Sequence, residues 1–209
     1  MGHNRGVTDT AAPGRRPWIF AVWLVVAGVV GLWAAFALTM EKFVLLEDPQ
    51  ADLDCNLSVL VQCGVNLESW QGELFGFPNP IIGLVGWMAP IVVGMSLIAG
   101  ARFPRWYWIV FNLGVAGAMA LVIFLIYSSI YVLGTLCPWC MLTWSVTIPT
   151  FWYVTARNAA EGVFGERLRA AGRFGLSWLI PIVLVSFAVV AFLAQLRLDW
   201  LRELLIAIG

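Results

Sequence analysis

Apolar and polar positions divide this chain into long charge-free runs separated by short polar stretches. The first run extends from Pro17 to Met40, between Arg16 and Glu41, and the second from Leu74 to Ala101, between Glu73 and Arg102. A third, from Trp106 to Ala156, holds no charged residue. At about 1.5 Å per helical residue it is far longer than a bilayer core of about 30 Å, so it must fold back on itself. The break falls at Gly134-Thr135-Leu136-Cys137-Pro138, where glycine closes one helix and proline opens the next. A last run covers Phe174 to Leu196, with Pro181 in its first turns. The pattern predicts an all-α integral membrane protein with five helices, at about 17–40, 78–101, 106–131, 138–156 and 176–196.

Composition supports the same environment. Apolar residues make up 61% of the chain and charged residues 11%, with a mean hydropathy of +0.88, whereas a soluble domain carries roughly a quarter charged residues. The formal net charge of zero leaves no electrostatic footprint for nucleic acid. If the five helices alternate, Arg5, Arg15, Arg16, Arg102, Arg105, Arg157, Arg167, Arg169 and Arg173 fall on one side, and only Lys42, Arg197 and Arg202 on the other. That bias puts the N-terminus in the cytoplasm. The chain then divides into a cytoplasmic tail, 1–16, and one transmembrane domain, 17–209, whose outer loop, 41–77, carries Glu41, Glu47, Asp48, Asp52, Asp54, Glu68 and Glu73. Arg15-Arg16 before an apolar run ending in Ala35-Phe36-Ala37 has the look of a secretory signal. The run is much longer than the usual ~7–15-residue signal core, so it reads as an uncleaved helix. The single histidine, His3, lies in the tail, and no carboxylate falls within a span. An acid–base hydrolase or proton-coupled transporter has little to work with.

The chemistry therefore rests on four cysteines, all on the outer, oxidising side. Cys137-Pro138-Trp139-Cys140 opens the fourth helix. Proline suits the first helical position, which leaves Cys137 at the N-cap, where free amides and the helix dipole favour a thiolate. Cys140 lies one turn deeper on the same face, so one thiol faces water while the other faces the acyl region, where a lipid-soluble acceptor would wait. Cys55 and Cys63 form a second pair in the acidic loop. Structural bridges or a four-thiolate metal site are the alternatives. The seven residues between Cys55 and Cys63 exceed the usual zinc-ligand spacing of about two to four, and the compartment oxidises thiols. Thiol–disulfide exchange is the better reading.

The combination of a loop cysteine pair after the first helix, Ser69-Trp70, Phe77-Pro78-Asn79-Pro80 and the later Cys137-Pro138-Trp139-Cys140 resembles the vitamin K epoxide reductase family in its bacterial stand-alone form, over roughly residues 17–156. The resemblance implies a four-helix bundle around a quinone (menaquinone or ubiquinone), with a fifth transmembrane helix added. It also implies a protein thiol:quinone oxidoreductase that reoxidises a thioredoxin-like (DsbA-like) partner and so drives disulfide formation in exported proteins. Cys140 would be the quinone-proximal thiol, Cys137 the one that exchanges with the loop, and Cys55 and Cys63 the shuttle pair. Ser69 matches the family's loop Ser/Thr, and Asn79 a family Asn whose side chain hydrogen-bonds a quinone carbonyl. One departure concerns the position four residues after Cys140. Animal members place a quinone-binding tyrosine there, and this chain has Trp144, whose larger indole can still donate. Some bacterial relatives continue into a fused thioredoxin-like domain. Only a dozen or so residues follow Leu196 here, so the expected electron donor is a separate extracytoplasmic protein, docked on the acidic loop.

Leu67, Trp70, Leu74 and Phe75 recur at helical spacing after Asn66, a candidate N-cap, and predict a short amphipathic lid over the quinone pocket. Asn112, in the third helix, is expected to pack between helices, and Gly83, Gly86, Gly94, Gly114 and Gly117 to let helices approach closely. DsbB-type quinone-linked disulfide oxidases do the same work but carry their Cys-x-x-Cys in the first outer loop, the opposite order. A non-enzymatic, metal-handling membrane protein is the reading from another class.

Overall fold

The computed structural model describes residues 18–201. The expected cytoplasmic tail, with His3, Arg5, Arg15 and Arg16, lies outside the described residues, as does Arg202. Helix α1 spans Trp18–Glu47, seven residues beyond the predicted end. Charge ends an apolar run, but glutamate and lysine are good helix formers and do not end a helix. Lys42 turns inward and is buried, its Nζ 2.8 Å from Glu73 Oε1 and donating to the Leu67 carbonyl at 2.8 Å. The outer loop consequently begins at Asp48, not at Glu41.

The second predicted helix is two helices meeting at Trp87, α3 (Asn79–Gly86) and α4 (Met88–Ile98), after a short α2 (Gly64–Glu68) in the loop. Pro90 explains the joint, because it has no N–H to give the Gly86 carbonyl. The Trp87 indole is buried against α1, where a Cβ at Gly31 would lie only 2.1 Å from its ring. Glycine at 31 is what lets the two elements meet.

Helix α5 (Arg105–Tyr127) continues into a π-helical turn, Ser128–Leu133, which Gly134 ends in the left-handed conformation at φ 70°. The Ser129 hydroxyl donates to the Thr135 carbonyl across this turn. Helix α6 (Pro138–Ala160) starts with Pro138 in its first turn, as expected. The last predicted helix is α8 (Leu179–Leu198), preceded by a separate short helix, α7 (Arg169–Ser177).

Among the described residues, four segments are long and apolar enough to cross a membrane: Trp18–Glu47, Asn79–Ile98, Arg105–Leu133 and Leu179–Leu198. The fourth predicted helix, α6, is not among these four. That helix has the length, 23 residues, but it carries Thr143, Thr147, Thr150, Thr155, Arg157 and Asn158. It can do so because α1, α5, α7 and α8 all pack on it, and its polar groups find partners there. Trp23 Nε1 donates to Thr150 Oγ1 at 3.1 Å, and Asn158 Nδ2 to Asn112 Oδ1 at 3.1 Å. Asn112 is thus an interhelical contact. The protein is an all-α membrane protein, with no strand among the described residues. Helix α8 buries only Ala194 and leans on α6 and the π turn from outside. The bundle proper is α1, α3–α4, α5 and α6.

Candidate functional site: a sulfur relay beside an apolar cavity

The loop after α1 is held to the start of α6 by backbone pairing. Gln62 N donates to the Leu136 carbonyl at 2.9 Å and Leu136 N to the Leu60 carbonyl at 2.8 Å, bridging Val61 and Leu136. The Asn56 side chain accepts from Cys63 N at 3.1 Å, and Asn66 Nδ2 donates to Thr135 Oγ1 at 3.1 Å. Cys63 follows the bridge by two residues on one strand of chain, and Cys137 by one on the other. The two sulfurs therefore meet.

Cys55 and Cys63 form a disulfide, with Cα atoms 5.7 Å apart, while Cys137 and Cys140 are free thiols. Cys137 Sγ lies 3.4 Å from Cys63 Sγ, and both residues are 0% exposed. Cys137 is the N-cap of α6, its sulfur accepting from Cys140 N at 3.3 Å. Hydrogen bonds from the Cys140 thiol and from the Cys140 and Trp139 amides hold the Cys137 thiol below its ordinary pKa, against burial and the nearby Glu41 carboxylate. In fully reduced protein, reaction of Cys137 with iodoacetamide, followed by peptide mass spectrometry, should reach half its plateau rate below the ~8.5 of a free cysteine. Cys140→Ala removes the largest of these contributions, the side-chain hydrogen bond, and the midpoint should move back up.

Cys140, one turn on, lines a partly open cavity of about 920 Å³ between α1, α3–α4, α5, α6 and the segment that precedes α3. Trp144, buried and four residues further along the same face, lines it too, as do Ser69, Gln71 and Asn79. Most of the wall is apolar. Gly86, Gly114 and Gly117, expected to bring helices together, instead face open space within 4 Å and line the cavity. Gly83 and Gly94 do meet α1, at Ala35 and at Ala21 and Val25.

The predicted lid is also built differently. Asn66 lies within α2 rather than capping it, and the helix stops at Ser69, whose backbone is extended. A separate 3-10 turn follows, Trp70–Glu73. Ser69 Oγ stitches the two, donating to the Asn66 carbonyl at 2.8 Å and accepting from Gly72 N at 3.2 Å. Leu67 is buried, whereas Trp70 is 67% exposed, its ring 6.1 Å from that of Phe124 on α5. Asn79 closes the segment from α3. Its Nδ2 donates to the Gln71 carbonyl at 2.6 Å, and its Oδ1 accepts from Leu74 N at 3.1 Å. Sequence reasoning passed over Lys42 and Gln71. In the sequence Lys42 is only a lone cation after an apolar run, and Gln71 falls between the apolar positions of the repeat.

A buried sulfur–sulfur contact next to a bundle cavity defines a membrane thiol–disulfide oxidoreductase. The family model described as the vitamin K epoxide reductase family matches residues 22–155, and the chain belongs to that family. Its members use quinones and work with thioredoxin-like partners. No curated protein matches the chain significantly.

Proposed function

We propose that this protein is a protein thiol:quinone oxidoreductase that passes electrons from a separate thioredoxin-fold protein, through two cysteine pairs, to a membrane quinone. The observation that carries the reading is the 3.4 Å contact between Cys63 and Cys137, with Cys140 on the cavity side of the same motif. In the relay, a partner thiolate attacks Cys55 Sγ and Cys63 leaves as a thiolate. The partner's second thiol then releases Cys55 and closes the partner's own disulfide. Cys63 attacks Cys137 Sγ of an oxidised Cys137–Cys140 pair, and Cys140 leaves. Cys55 finally attacks Cys63, and the Cys137 thiolate, favoured by its N-cap position, departs. The product has a closed loop disulfide and two free motif thiols, the same redox arrangement as the structure.

The cavity suits a quinone in volume, in its apolar wall and in having amides at Gln71 and Asn79. A bound quinone supplies an acceptor for two electrons and two protons. Cys140 and Trp144 would lie beside its ring, Asn79 and Gln71 at its polar edge, and Ser69 would keep the covering segment in shape. The site faces outward in a bacterial cytoplasmic membrane if the arginine bias sets the topology, and the reaction would sustain disulfide formation in exported proteins. Purified protein extracted with organic solvent should yield a bound quinone in near-stoichiometric amount. Its absorbance should change to that of the quinol when the motif thiols are reduced. Protein that retains no quinone, and is not reoxidised by added quinone, would contradict the reading.

A further inference from the structure

Gln71 sits in the 3-10 turn at 4% exposure and lines the cavity, yet its Oε1 has no hydrogen-bond partner. It is the single buried side-chain N or O atom left so among the described residues. An unpaired buried amide oxygen bears its whole desolvation cost, so such a group calls for a completing ligand or water. The turn is not free to relax and hide it. Asn79 grips the Gln71 and Leu74 backbones, Ser69 grips Gly72, and Lys42 grips Glu73. The Oδ1 of Asn79 and one of its N–H groups are occupied in this way.

We propose that Gln71 is the side chain that reads the polar head group in the cavity, and that Asn79 is a positioning residue that aims it. The assignment rests on the cavity being a quinone site. An amide offers a donor and an acceptor, and its orientation can reverse. Nε2 donates to a quinone carbonyl, whereas the orphan Oε1 needs a hydroxyl, which only the quinol carries. Gln71 therefore stabilises the reduced form more than the oxidised form, and so favours electron flow out of Cys140.

The test uses full-length protein in detergent with the cysteines oxidised, titrated anaerobically with short-chain ubiquinone, ubiquinol, menaquinone and menaquinol. Binding is followed by quenching of tryptophan fluorescence, since Trp87 and Trp144 line the cavity. Gln71→Met should weaken quinol binding by up to about tenfold, and quinone binding by less. The melting midpoint of its quinone-free form should be unchanged or higher, because no protein hydrogen bond is lost. Asn79→Ala should lower both the melting midpoint and quinol affinity. Gln71→Met that binds quinol like the wild type, or that melts lower and loses both forms equally, would overturn the assignment while leaving the quinone site standing. Wild type that binds neither couple would remove the quinone reading itself, and this assignment with it.

Discussion

Cys140→Ser is expected to abolish quinone reduction, a fall of about three orders of magnitude or more, measured as quinone absorbance loss driven by dithiothreitol. Cys140 is the motif sulfur that lines the cavity, and Cys137 does not. Serine is close in size to cysteine, so packing around position 140 should survive and the loss should be chemical. The same variant should leave the inner contact intact. When Cys55 is also replaced by serine, the remaining sulfurs of Cys63 and Cys137, 3.4 Å apart, should close into a disulfide under mild oxidant. A diagonal gel or a cross-linked peptide would report it. Near-normal quinone turnover in Cys140→Ser would sink the mechanism.

Cys63→Ala should break the relay in its middle. Oxidation of a thioredoxin-fold partner is expected to disappear, while dithiothreitol, which can reach the half-buried Cys140, should still reduce the motif pair and drive quinone turnover. With the loop disulfide intact, a partner lacking its second active-site cysteine should instead be trapped on Cys55 as a mixed disulfide, recoverable by affinity capture and released by reductant. Equal loss with both electron donors would instead make the loop bridge a structural staple.

Much of this site could be read from the sequence, and for physical reasons. Pro138 and the charge-free flanks left Cys137 few positions other than a helix N-cap, and Cys140 then had to follow on the same face. The loop was harder to read. Charge ends the apolar run at Met40, but Lys42 is neutralised by Glu73 and bonded to the Leu67 carbonyl, a tertiary pairing that no local pattern carries. The covering segment fits a helical repeat in its apolar positions, yet Ser69 breaks it by satisfying backbone groups on both sides. Pro90 and Trp87 similarly divide a run that hydropathy treats as one span. Gly114 and Gly117 show the limit of composition. The same residue that permits close packing also leaves room for a cavity, and only the neighbours decide which.

The bridge between Val61 and Leu136 has a kinetic consequence. By fixing Cys63 against Cys137 it makes the inner exchange unimolecular, and well-aligned intramolecular reactions reach effective concentrations on the order of 10⁵ M and above. Soluble thiols at millimolar levels cannot compete with such a neighbour, and with the loop disulfide closed both sulfurs are sealed from solvent. Turnover should then saturate with partner concentration and remain indifferent to glutathione, since the step that glutathione could intercept is finished before a free thiol arrives.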